Sequence, residues 1–90
     1  GDITYNEMHR ILKSKSAILV DVRSKQEFDE DHINGAINIP LNNINSITSK
    51  VKDKNKHIIL YCSSGIRSKK AQKILKSQGY VNVYNLIDGF

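Results

Sequence analysis

The residue types best able to do chemistry are gathered in Cys62-Ser63-Ser64-Gly65-Ile66-Arg67-Ser68. A cysteine and an arginine separated by four residues bring a nucleophile and a guanidinium together, and Ser63, Ser64 and Gly65 are small enough for the chain between them to curl. In such a curl successive backbone N–H groups point inward and favour a sulfur anion or an oxyanion. A helix starting at Ile66 adds its unpaired N–H groups and the positive end of its dipole. Arg67 can hold a sulfonate-like or carboxylate group by two hydrogen bonds. Each effect stabilises a thiolate, so Cys62 is expected to titrate below the ~8.5 of a free thiol and to be largely ionised at neutral pH. A lone buried cysteine is often only a core residue. The glycine, arginine and helix start that follow at once argue for chemistry.

The elements that must position this loop are legible on both sides of it. His57 to Tyr61 is a strongly apolar strand that delivers the chain to Cys62, and Ile66 to Gln78 has the periodicity of a helix. That helix is expected to bury Ser68, Ala71, Ile74 and Leu75 and to turn Lys69, Lys70, Lys73 and Lys76 to water, with Gly79 ending it in the left-handed conformation. A strand that ends where a helix begins is where ligands bind in open α/β sheets.

Upstream, Thr4 with Glu7 and Ser24 with Glu27 have capping-box spacing. The first opens a helix carrying Met8, Ile11 and Leu12 to about Lys13, after a short strand around Ile3; the second opens one through about Glu30. Ala17 to Val20 is a short run of β-formers, read as a strand buried on both faces and leading into Asp21-Val22-Arg23. Asn34-Gly35 marks a turn, Ala36 to Ile39 a strand and Pro40 its stop. Ile44, Ile47 and Val51 suggest one or two helical turns in residues 42 to 51, Lys52 to Lys56 a solvated connector, and Val81 to Leu86 a last strand. Strands alternating with helices give an α/β fold with a mainly parallel sheet of about five strands and helices on both faces.

Ninety residues have room for one core, so residues 1–90 are read as one domain. Gly1 in place of Met, and an end directly after a strand-like segment, suit a domain within a longer gene product. No run approaches the ~20 apolar residues of a membrane span, and no secretory signal core is visible, so no membrane role is expected. One cysteine excludes an internal disulfide, a zinc cluster or a dithiol pair and fits a reducing, cytoplasmic setting. The net charge of +5 comes from lysines spread along the chain without interleaved aromatics, which argues against nucleic acid. His9 and His57 have no metal-ligand spacing, and neither a metal nor another cofactor is expected.

The Cys62-x4-Arg67 loop, Asp21-Val22-Arg23, Glu27-Phe28, the run from His32 to Pro40 and the closing Leu86 to Gly89 resemble the motifs of the rhodanese family, in that family's order. The resemblance implies a rhodanese-like fold and a sulfurtransferase. Its cysteine accepts a sulfane sulfur from thiosulfate or a persulfide donor, then passes it to cyanide or a thiol. It makes Cys62 the persulfide-bearing nucleophile, Ser63 to Ser68 the cradle of the outer sulfur, and Arg67 the residue that closes the loop and attracts a small anionic donor. Asp21, Arg23 and Glu27 become a supporting polar cluster. His32 is read as structural, since a pre-formed thiolate needs no base. A sulfur-relay protein is a compatible partner. Two positions depart from the pattern, Asp31 before His32 and Asp88 beside Gly89, and both concern turns.

Two rivals remain at this level. Cysteine phosphatases and arsenate reductases also place Cys and Arg around an anion-binding loop, but with a longer interval and commonly a histidine before the cysteine; here Tyr61 precedes. A non-catalytic binding module of the same fold often lacks the cysteine that this chain retains.

Overall fold

A computed structural model describes residues 1–90. Thr4 caps α1 (Tyr5–Ser14) with its hydroxyl on the Glu7 amide while the Glu7 carboxylate accepts from the Thr4 amide, and Ser24 and Glu27 do the same for α2 (Lys25–Glu30). Each N-cap contributes about 1 kcal/mol. The strands are β1 (Asp2–Ile3), β2 (Ile18–Asp21), β3 (Ile37–Asn38), β4 (Ile58–Tyr61) and β5 (Val83–Leu86). A 3-10 stretch, Leu41–Ser46, runs into α3 (Ile47–Lys50), and α4 spans Ile66–Ser77.

All four strand pairings are parallel, in the order β1-β5-β4-β2-β3. Parallel strands covered on both faces need apolar side chains on both, which is why β4 reads Ile-Ile-Leu-Tyr without a polar break. Ile59 and Tyr61 pack with Met8, Leu19 and Leu86 on the face covered by α1. Ile58, Leu60 and Cys62 pack with Ile44, Ile47, Ala71 and Leu75 on the face covered by α3 and α4.

The chain passes outward from β2 to β3 in one direction and from β4 to β5 in the other. The order therefore reverses between β2 and β4, opening a crevice at their carboxyl ends. Cys62 follows β4 and Asp21-Val22-Arg23 closes β2, so both reach that crevice.

The expectations differ from the structure in details with local causes. Residues 81 and 82 lie outside β5, because Val81 is exposed and its amide turns to the Lys54 carbonyl. Ile74 is only half-buried, whereas Gln72 is buried, its amide donating to the Val83 carbonyl. Asp31 needs no glycine, since its φ of −170° is extended backbone open to any residue.

Candidate active site

Cys62 is completely buried, and its Sγ is the focus of three contacts. The Gly65 amide donates to it at 3.1 Å, the Ser68 amide at 3.4 Å, and the Ser68 hydroxyl lies 3.4 Å away. Gly65 makes this possible at φ +85°, with its α-hydrogen face close against the Ile87 carbonyl. As the N-cap of α4, Gly65 has no side chain to bond the helix's free amides. The cysteine sulfur takes over the capping role by accepting from Ser68, the third residue of the helix.

Burial pushes the Cys62 thiol up, but the Ser68 hydroxyl and the amides of Ser68, Ser64 and Gly65 outweigh it, and the net displacement is downward from 9.0. Ser68 is itself fully buried and hydrogen-bonded to Asn85 Oδ1, while Asn85 Nδ2 donates to Asp2 Oδ1 at 3.4 Å. Removing the hydroxyl in Ser68→Ala should move the midpoint of Cys62 alkylation against pH upward. Iodoacetamide rates measured from pH 5 to 10 check this. A midpoint that stays put would leave the backbone amides as the whole cause.

The Arg67 fork is occupied by oxygens of the chain itself. Nη1 and Nη2 meet Glu27 Oε1 and Oε2 at 2.7 and 3.1 Å, and Nη2 also donates to Ser63 Oγ at 3.1 Å. The guanidinium holds Glu27 down to a pKa of about 2, so this brace persists until strongly acid pH. The expected three-residue cluster is therefore two separate pairs, because Glu27 belongs to Arg67 and not to Asp21 and Arg23. Arg67→Lys and Glu27→Gln should each lower the melting temperature by about 4–8 °C, as loss of roughly 1 kcal/mol implies for a domain this small. The Michaelis constant for thiosulfate should stay within about threefold of wild type. A tenfold rise in that constant with unchanged melting would instead assign Arg67 to anion capture.

Asp21 and Arg23 form the buried pair. Arg23 Nε and Nη2 bind both Asp21 oxygens at 2.7–3.1 Å, and Nη2 also donates to the Asp31 carbonyl at 2.6 Å. The guanidinium lies over the Phe90 ring at 5.1 Å, and the Phe90 amide donates to the Cys62 carbonyl at 2.8 Å. The end of the chain is thereby laid across the backbone that carries the nucleophile. Gly89 is required there: a Cβ would stand 2.3 Å from the Ser63 carbonyl oxygen and 2.7 Å from that of Cys62.

Tyr61, just before the nucleophile, accepts the Ile33 amide on its hydroxyl at 3.0 Å and ties the 33–39 run to β4. His32 stacks on Phe28 at 3.7 Å and bonds the Phe28 carbonyl through Nδ1, so it braces α2. His57 pairs with the Tyr84 hydroxyl and His9 with the Tyr5 ring edge. No three His, Cys, Asp or Glu side chains converge to hold a metal ion, and no helix is long and apolar enough to cross a membrane.

Sequence reasoning missed Asn85 and the Tyr61 hydroxyl. Asn85 alone had a signal, as the one amide in an otherwise apolar strand of the sheet's interior.

A cysteine whose sulfur receives amides from a tight loop and a helix start, at the switch point of a parallel sheet, defines a class of enzyme built on an anion-stabilised thiolate. The model of the rhodanese-like domain matches residues 4–90, and the chain belongs to that family. Thiosulfate sulfurtransferase GlpE of Coxiella burnetii is 32% identical over 88 residues, covering 98% of this chain and 81% of that protein. The tRNA uridine(34) hydroxylase of Buchnera aphidicola is 34% identical over 92 residues, and there the chain spans only 30% of the relative's length. Among solved structures, a rhodanese with anions from E. coli superposes with a TM-score of 0.73 at 38% identity, over 77% of this chain and 82% of that one.

Proposed function

We propose that residues 1–90 act as one catalytic domain that takes a sulfane sulfur from thiosulfate or a persulfide and hands it to cyanide or a thiol through Cys62. The observation that carries this reading is the sulfur of Cys62 accepting the Gly65 and Ser68 amides at the start of α4. The Cys62 thiolate attacks the outer sulfur of thiosulfate, the bond between the two thiosulfate sulfurs breaks, and sulfite leaves with the electron pair. The anion now rests on the terminal sulfur of a Cys62 persulfide. An acceptor thiolate or cyanide then attacks that terminal sulfur, the new disulfide bond breaks, and Cys62 departs as the thiolate again.

Within this scheme the backbone from Ser63 to Ser68 stabilises the outer sulfur, and Arg67, paired with Glu27, keeps the loop in shape. Asp21 and Arg23 support the loop from the β2 side, and Glu27 supports it through Arg67. Because Cys62 is fully buried, the exposed residues Ser63, Ser64 and Ile66 must yield for a donor to reach it. A lone thiol that must stay reduced between turnovers suits the cytoplasm, and no cofactor is called for. Thiocyanate formation from thiosulfate and cyanide tests the reading: turnover by wild type that is lost in Cys62→Ala supports it, and turnover retained by Cys62→Ala refutes it.

A further inference from the structure

Beside the loop, on the side away from Arg67, lies a cavity of about 460 Å³ walled by Gly65 and Ile66, by Ile87 beyond β5, and by Lys69, Lys70 and Lys73 of α4. Gly65 gives its amide to Cys62 Sγ and also lines this cavity, so one peptide unit separates the cavity from the sulfur. The charge on α4 is one-sided. The helix carries Arg67, Lys69, Lys70, Lys73 and Lys76 and no acid. Glu27 neutralises Arg67, and Asp2, the one acid on the cavity wall, sits 3.1 Å from Lys69. Lys70, Lys73 and Lys76 have no acidic partner within salt-bridge distance.

A helix of like charges repels itself at i,i+3 and i,i+4, as Lys69 with Lys73 and Lys73 with Lys76 do here. The cost is relieved when an acidic surface is laid against it. Two exposed isoleucines at the cavity, Ile66 at 65% and Ile87 at 48%, add apolar area that a small inorganic anion cannot use. No aromatic side chain lines the cavity to stack a nucleic-acid base, which favours a protein over an RNA. We infer that this face docks an acidic protein segment bearing the thiol that receives sulfur from Cys62. The inference rests on the sulfurtransferase reading of Cys62 and adds to it the chemistry of the partner. The docked thiolate attacks the terminal persulfide sulfur, the bond from that sulfur to Cys62 Sγ breaks, Cys62 leaves as thiolate, and the partner carries the persulfide away. The partner's thiol proton is lost to solvent beforehand, and no oxidant or reductant is consumed.

Three seven-residue peptides with one central cysteine, flanked by Glu, Ser or Lys, serve as probes. Protein loaded with thiosulfate and freed of excess donor is mixed with each, and intact mass follows the loss of sulfur. The Glu peptide should react about tenfold faster than the Ser peptide at low salt, within the range charge steering provides, and the Lys peptide slower still. The differences should shrink at 0.5 M salt, where screening acts within a few ångströms. The Lys70→Glu/Lys73→Glu double variant should lose or invert the preference. A Lys13→Glu/Lys15→Glu variant, with the same change in net charge around the C-terminal end of α1, should keep it. Transfer to cyanide, mostly the uncharged acid at neutral pH, is followed in each variant as a measure of its sulfur chemistry. Anisotropy with cysteine-free versions of the labelled peptides and unloaded protein reads docking independently of any sulfur transfer, and the same tenfold order is expected there. Equal rates and affinities for the three peptides would overturn the proposal, as would a preference that survives in Lys70→Glu/Lys73→Glu. A single-stranded RNA that binds through the same lysines, with no discrimination among peptides, would overturn it in favour of nucleic acid. Failure to load sulfur at all, with peptide discrimination intact in the anisotropy arm, would instead count against the sulfurtransferase reading.

Discussion

Cys62→Ser is expected to lower thiosulfate-dependent sulfur transfer by roughly four orders of magnitude or more, the scale on which removal of an enzyme nucleophile is felt. No other thiol exists in the chain to substitute for it. A serine hydroxyl placed where Sγ lies could still accept the Gly65 and Ser68 amides, so the cap of α4 survives. Cys62 packs among Val20, Leu60 and Ala71, and exchanging sulfur for a smaller, more polar oxygen there should cost about 1 kcal/mol. The expected variant is folded and inactive. Steady-state turnover together with a melting curve checks both halves, and a folded Cys62→Ser protein retaining a tenth of wild-type turnover would contradict the assignment.

The second large effect is expected on stability. In Arg23→Met the methionine fills much of the space of the arginine stem but leaves the completely buried Asp21 carboxylate without its cation. Breaking a buried ion pair from one side costs about 3–5 kcal/mol. Arg23 retains a solvent-facing edge, so about 3 kcal/mol is expected, or roughly 12–24 °C in melting temperature for a domain of this size. Activity should fall as well, because Arg23 also holds the Asp31 carbonyl and the Phe90 ring. Adding Asp21→Asn should recover part of the loss by removing the stranded charge. Denaturant melts of the two single variants and the double variant measure the coupling. Strictly additive losses would mean that the pair contributes nothing beyond its separate contacts.

The order of elements was readable because each carried an independent local signal. Thr4 with Glu7 and Ser24 with Glu27 marked two helix starts, and the runs ending at Val20 and Tyr61 had the two-sided apolarity of buried parallel strands. The Cys62 loop was readable for a similar reason, since its small residues, its glycine and the helix start lie next to one another in sequence. Long-range partners were not. Glu27 is 40 residues from Arg67, Asn85 is 17 from Ser68, and nothing local to either says which charge or hydroxyl it will meet. Hence the resemblance groups Glu27 with Asp21 and Arg23, whereas its carboxylate meets Arg67, and nothing near Arg67 in sequence announces that partner. Gly89 was read as part of a closing turn. Its tight approach to the Ser63 and Cys62 carbonyls depends on the chain end folding back over β4, which only the assembled sheet specifies.

The central claim is that Cys62 itself carries the sulfur. Its most direct test is the intact mass of the protein after incubation with thiosulfate and removal of excess reagent. The wild type should gain about 32 Da, the mass of one sulfur, located on Cys62 by fragmentation and lost on adding cyanide or dithiothreitol. Cys62→Ser should gain nothing. A wild-type protein that turns over thiosulfate without acquiring this mass, or a Cys62→Ser protein that acquires it, would contradict the claim.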